Sequence, residues 1–338
     1  MKFLLILITG LLITLQTSCA NNTASSVPEL KGQTVTVEAK VTTDTIEVET
    51  IDLKAPVENE IVVQPQETKT MSLDAATKKQ GEFFQVFIRG LSEKPTVWFN
   101  SKSYPVFEIP DTQQWSFISG ENNNHLYRAL VPVENMTKPG SYSILARAKG
   151  FEGRQAVSIT DNMKPISKIT LSSSKSAIYA TEKELNIVGK GLKELTDKKL
   201  WDGKFIYPST APKSSPFGVK RSYNGGPVDS YHKGLDFAAD KGAPVVAPAD
   251  GKVIVVGKAD DGFNVHGNTI ILDHGHGVTS IYMHLSKIDV TKAQDVKTGE
   301  KIGEVGHTGI STGPHLHWGV YLSGVSTDPE LFVINSIL

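Results

Sequence analysis

The sequence predicts a mainly β protein of two modules, a β-sandwich followed by a compact antiparallel β domain, with one short helix in the linker between them. Three observations carry that expectation. From Gly81 to about residue 165, aromatic and β-branched runs alternate with Gly, Pro, Asn and Asp, as short antiparallel strands and their turns do. From Phe217 onward the same punctuation returns with Gly-rich turns. Between the two stretches, only Thr181-Glu182-Lys183-Glu184 and the apolar residues after it have helical form.

The bulk properties narrow the class. A chain of 338 residues suits two domains, and 39% hydrophobic with 8% aromatic residues suits globular folding. A net charge of −1 gives no electrostatic basis for binding nucleic acid. The single cysteine, Cys19, excludes an intrachain disulfide.

Met1-Lys2 is a short basic start, and the apolar run from Phe3 to Leu15 is too short for a comfortable membrane span. Residues 1–18 read as a signal peptide. Leu15-Gln16-Thr17-Ser18-Cys19-Ala20 resembles a bacterial lipobox, with Gln16 where leucine is usual. That resemblance implies lipidation at Cys19 and a membrane held through the lipid anchor, stable when two or more acyl chains are attached. The competing reading is an ordinary secretory signal cut near Ala20. Residues 19–80 lack Phe, Tyr and Trp after Asn21 and offer little apolar surface to bury, so they read as a flexible tether. A tether of that length spans roughly 40 Å r.m.s..

Residues 81–165 form the sandwich. Phe83 to Gly90, Thr96 to Phe99, Tyr104 to Ile109, Tyr127 to Val133, Tyr142 to Ala148 and Gln155 to Thr160 are its strands, in an immunoglobulin-like arrangement without a disulfide. Residues 166–206 read as a linker. Thr181 and Glu184 have capping-box spacing, and Leu185, Val188, Leu192 and Leu195 follow at near-helical intervals, weakened by Gly189 and Gly191. The last domain covers 207–338.

Of nine histidines, eight fall at or after His232. His315 and His317 are one residue apart in an apolar run, so on a strand both rings point to one face. His232 and Asp236 are four residues apart across Gly234, a spacing that can close on one metal from a loop entering a strand. His284 lies in Tyr282-Met283-His284-Leu285-Ser286. Zinc accepts imidazole nitrogen and carboxylate oxygen, and catalytic sites commonly use three protein ligands. One histidine of the His315/His317 pair can complete the set, and the other, with His284, is left for proton transfer or charge stabilisation. No His-Glu-x-x-His helix motif occurs.

These segments, with Ser215-Pro216-Phe217-Gly218, Ala247-Pro248-Ala249-Asp250-Gly251, Asp273-His274-Gly275 and Thr312-Gly313-Pro314, recur in the order found in the lysostaphin/LytM-type zinc metallopeptidases. Residues of about 200–333 resemble that catalytic domain. The resemblance implies a β domain with a groove floored by the sheet, and one zinc ion per chain held by His232, Asp236 and His317. It implies His284 and His315 as catalytic histidines, His315 taking the proton of the attacking water and His284 stabilising the oxyanion, with the two roles open to exchange. His266, His274, His276 and His307 are expected in loops or in supporting positions. The loop from Asp260 to Gly267 is expected to shape the groove wall without touching the metal.

The sandwich also resembles the N-terminal domain that precedes this catalytic domain in some envelope members. The implied substrate is peptidoglycan, cut at peptide cross-links as a D,D-endopeptidase. The implied location is the cell envelope of a diderm bacterium, anchored and facing the periplasm, as a monomer. The alternative is a metal-free regulatory relative that activates a cell-wall amidase. Such relatives lack one or more of the five site residues, and all five are filled here.

Overall fold

The computed structural model describes residues 69–109, 125–170 and 178–337, and the backbone of two short strands, Leu5–Ile8 and Leu11–Thr14, which pair antiparallel. Cys19 and the expected tether as far as residue 68 lie outside the described residues.

The N-terminal module is a two-sheet sandwich. One sheet orders Thr70–Leu73, Phe83–Arg89, Leu126–Pro132 and Val106–Ile109, and the other orders Thr77–Lys79, Phe151–Thr160, Gly140–Ala148, Thr96–Phe99 and Lys102–Tyr104. Alternation along Phe83–Arg89 buries Phe84, Val86 and Ile88 completely. They meet Val97, Phe99, Ile144 and Ile159 from the facing sheet, as period-two strands packed face to face require. The first two strands start ahead of Gly81, so an ordered sheet begins before the expected end of the tether. Met71 and Leu73 explain this, since both pack on the sandwich core although the segment has no aromatic residue.

Leu126–Pro132 is buried at every position. One face serves the sandwich, and the other carries Leu130 into the core of the second module. Phe83 joins it there, 5.5 Å from Phe332 between ring centroids. Thr327 Oγ1 and the Asp328 amide both donate to the Gly81 carbonyl, at 2.8 and 2.9 Å.

The expected linker is corrected more strongly. Ile166–Ile169 pairs in parallel with Lys220–Tyr223. Trp201 and Phe205 are buried in the core of the second module. The helix exists, at Glu182–Gly191, with Thr181 as N-cap. Its Val188, with Leu192, packs on Val255, Phe263, Ile271 and Ile281. A Cβ on Gly191 would come within 2.8 Å of Val255 Cγ2. The glycine that weakens the helix as a sequence pattern is thus what lets it lie against the sheet.

The second module is built on an eight-stranded sheet. Its strands are β1 (Lys213–Ser215), β2 (Leu235–Phe237), β3 (Gly251–Gly257), β4 (Asn268–Gly275), β5 (Val278–Leu285), β6 (Asp295–Val296), β7 (Leu316–Leu322) and β8 (Val325–Thr327). The order is β1-β2-β7-β5-β4-β3-β6, with β8 paired to β7. Central strands β4, β5 and β7 are buried almost throughout, which matches their Ile, Val and Leu content. Asp236 stands opposite His317 across the β2–β7 pair, and Met283 stands opposite His317 across β5–β7.

Candidate active site

Directly opposed residues on neighbouring strands share a face, so Asp236 and His317 are brought together by register alone. His232 reaches them from the loop before β2. The three donor atoms form a tight triangle: His232 Nε2 is 3.0 Å from both Asp236 Oδ1 and His317 Nδ1, and His317 Nδ1 is 2.9 Å from Asp236 Oδ1. Tetrahedral ligands on a zinc ion stand about 3.2–3.4 Å apart, given bonds of about 2.0–2.1 Å. Two imidazoles and a carboxylate at this spacing therefore fit one metal ion, and they are the group among the described residues whose ligand atoms could hold one. Gly234 makes room for it: a Cβ there would lie 2.6 Å from His317 Cε1 and 2.5 Å from the Trp318 carbonyl oxygen.

Surrounding groups fix the rings. His232 Nδ1 lies 2.9 Å from the Pro216 carbonyl, which can only accept, so Nδ1 carries the proton and Nε2 offers its lone pair inward. Burial raises the Asp236 carboxyl, but its contacts with the His232 and His317 rings outweigh it and hold the group well below the usual carboxylate range. Burial lowers His317 to about 4 despite the opposing pull of Asp236. Both therefore stay in the forms that bind metal at neutral pH.

Two further imidazoles face the same space. His284 and His315 have ring centroids 4.9 Å apart, and His284 lies 6.4 Å from His317 by the same measure. His315 Nε2 is 3.9 Å from Asp236 Oδ1, outside the triangle that His317 completes. Alternation along β5 would send His284 to the face opposite Met283. Its φ of 64° breaks the alternation, a left-handed conformation uncommon outside glycine though more accessible to histidine than to most residues, and both residues line one cleft. His284 Nδ1 donates to the Thr308 carbonyl at 2.8 Å, and His315 Nδ1 donates to the Gly313 carbonyl at 2.9 Å. Both Nε2 atoms are thereby left as acceptors. Burial, then the charges of His317 and His315, lower His284 to about 3.

The cleft has a volume of about 540 Å³, and Arg221, Tyr223, Tyr231 and Ile310 line it beside the histidines. The remaining histidines sort themselves by position. His274 is fully buried between the Asp250 carbonyl and Ser280 Oγ. His276 stacks on Phe107 at 4.5 Å and meets Arg128 of the sandwich at 2.9 Å. His307 pairs with Ser311 at 2.9 Å. His266 alone of these four lines the cleft. Its buried partner, Glu184, is half visible in the sequence as the fourth residue of the capping box. Thr181 does accept from the Glu184 amide, at 3.0 Å, but the Glu184 side chain turns to the loop at 264–266.

Comparison with known proteins matches residues 230–329 to peptidase family M23. A crystal structure from Pseudomonas aeruginosa described as a peptidase M23 aligns with 30% identity and a TM-score of 0.51, covering 72% of this chain and 88% of that one. The chain belongs to peptidase family M23. Its curated relatives include the peptidoglycan DD-endopeptidase ShyB of Vibrio cholerae, 32% identical over 222 residues, which are 56% of this chain and 51% of ShyB. They also include the murein hydrolase activator NlpD of Salmonella typhimurium, 39% identical over 106 residues, 31% of this chain and 27% of NlpD. The chain spans only about a quarter to a half of the length of the curated relatives it matches. As an M23 member it carries the lysostaphin/LytM-type domain that its motifs resemble, on a mainly β fold.

Proposed function

We propose that the protein is a zinc-dependent endopeptidase that hydrolyses peptide cross-links of peptidoglycan, of the D,D type. The observation that carries this reading is the triangle of His232 Nε2, Asp236 Oδ1 and His317 Nδ1, at 2.9–3.0 Å from one another, with two more imidazole acceptors turned to the same cleft. These three groups would hold the zinc ion. Zinc held there supplies Lewis acidity toward the scissile carbonyl and the attacking water.

The rest of the chemistry belongs to side chains of the chain itself. His315, through Nε2, takes the proton of the attacking water and returns it to the leaving amine. An oxyanion-donor role for His284 would need a proton on Nε2. Its single neutral-state proton already serves Thr308, and burial opposes a second. His284 is better suited to accept a hydrogen bond from the water and so aim it. Arg221 lines the same cleft, and its charge adds to the lowering of His317.

The ShyB likeness supports peptidoglycan peptide as the substrate class, and envelope location follows from that substrate. The NlpD likeness supports the second reading, an activator without hydrolysis. The filled set of five site residues favours the first. Incubating the purified protein with cross-linked muropeptide dimers and following products by mass spectrometry separates them. The proposal expects monomers and intact glycan, and dimers that persist with the metal bound would contradict it.

A further inference from the structure

His266 lines the catalytic cleft and takes no part in the chemistry above. It belongs to the loop before β4, and its side chain is 18% exposed, while that of Glu184 is not exposed at all. Glu184 comes from the helix Glu182–Gly191, the element that the sequence assigns to a linker. Its carboxylate accepts the backbone N–H groups of Asn264 at 3.0 Å, Val265 at 3.1 Å and His266 at 2.7 Å. It also lies 2.6 Å from His266 Nδ1.

A carboxylate satisfied by three amides is a loop anchor, and for that purpose the amides suffice. The contact to the ring adds something else. An ionised carboxylate can only accept, so Nδ1–H donates, and in the neutral ring Nε2 keeps its lone pair. No partner for Nε2 is found among the described residues, and the ring borders the cleft. The loop is also tied to the catalytic elements. The His284 amide donates to the His266 carbonyl at 3.0 Å, and the Ile310 amide donates to the Val265 carbonyl at 3.0 Å. A carboxylate that orders a loop, selects one tautomer of its histidine and leaves the other nitrogen facing a cleft is the arrangement of an oriented hydrogen-bond acceptor.

We propose that His266 is a substrate-binding residue whose Nε2 accepts a hydrogen bond from an N–H donor of the bound peptide, amide or amine, and that Glu184 is its positioning residue. This rests on a peptide being the substrate of the cleft. The loop carrying His266 is the stretch expected from the sequence to shape the groove wall without touching the metal, so the contact would tune which peptides the metal chemistry receives.

The test is equilibrium binding of a synthetic cross-linked stem-peptide dimer to the full chain stripped of metal, so that turnover plays no part. His266→Ala should weaken binding about tenfold, the loss of roughly one hydrogen bond, with its thermal midpoint kept. His266→Gln, which retains an acceptor, should recover most of the loss. Glu184→Gln should weaken binding on the wild-type background and add little on the His266→Ala background, because neighbours acting through one contact are not additive. A dimer with its free amine acetylated identifies the donor: if the His266 effect vanishes the donor is the amine, and if it persists the donor is a peptide amide. Equal dimer binding by wild type and His266→Ala, or independent effects of the two sites, would overturn the proposal even if the zinc-loaded enzyme releases monomers. His266-dependent binding without monomer release would count against the endopeptidase reading alone.

Discussion

Five side chains converge on one cleft because each has a local reason to point there. Asp236 and His317 are cross-strand neighbours, His232 reaches them from the loop before β2, His315 precedes His317 by one strand period, and His284 arrives through a left-handed backbone. The consequences can be tested singly. His317→Ala should lose bound zinc, measured by elemental analysis after gel filtration, because two donors cannot replace three. His284→Ala should keep its zinc and lose turnover by about 10²–10⁴-fold, the usual worth of a positioned acid–base group. Zinc at full occupancy in His317→Ala would break the ligand assignment. Gly234→Ala should cost about 1–3 kcal/mol by overpacking, since its Cβ would meet His317 and the Trp318 carbonyl, and chemical denaturation should show it. At this scale the sequence is legible in part: His-x-His and His-x-x-x-Asp show through strand period and loop closure that these groups can meet, while the choice of His317 over His315 as third ligand rests on the family resemblance. The turn that admits His284 is not legible, because a positive φ at histidine leaves no mark in composition.

Among the elements, the helix Glu182–Gly191 gains most in meaning. Its capping box and apolar spacing could be read directly, but its role could not. The residues that receive it, Val255, Ile271 and the loop at 264–266, lie some 70 to 90 positions away in the chain. Pattern reasoning sees a helix between two β regions and assigns it to a linker, whereas packing decides which region owns it. Thr181→Ala should cost about 1 kcal/mol of stability through loss of the N-cap, to which the hydrogen bond from Thr181 Oγ1 to the Gly262 carbonyl at 2.9 Å adds a tie to the cleft loop. A shift of the urea midpoint reads this effect, and an unchanged midpoint would mean that the cap is replaced by solvent. The strands Thr70–Leu73 and Thr77–Lys79 were missed for a related reason: edge strands need few apolar residues when their backbone is paired on one side.

For the whole molecule, the two modules share one buried contact region, with Phe83, Leu130 and Arg128 of the sandwich set against Phe332 and His276 of the second module. Burial lowers His274 to about 4 and, with Arg128 adding to the effect, lowers His276 to about 4. An unfolded histidine titrates near 6.5. These folded values are depressed, so the stability they contribute is present above about pH 6.5 and is lost as pH falls toward about 4, where the unfolded chain binds protons that the folded one refuses. For the fully buried His274 the loss amounts to about 3 kcal/mol. Denaturation of metal-free protein at about pH 7.5 and about pH 4.5 should show this fall, and equal stability at both would contradict it.

On the function proposed here, the His232, Asp236 and His317 triangle holds a zinc ion on which cleavage of peptide cross-links depends. The most direct test is a titration of metal-stripped protein with zinc, scoring monomer release from directly cross-linked muropeptide dimers at each addition. Activity should rise linearly and level off at one zinc per chain, and His317→Ala should stay inactive throughout. Cleavage by the stripped protein at the full rate, or zinc bound at one per chain with no monomers released, would contradict the account.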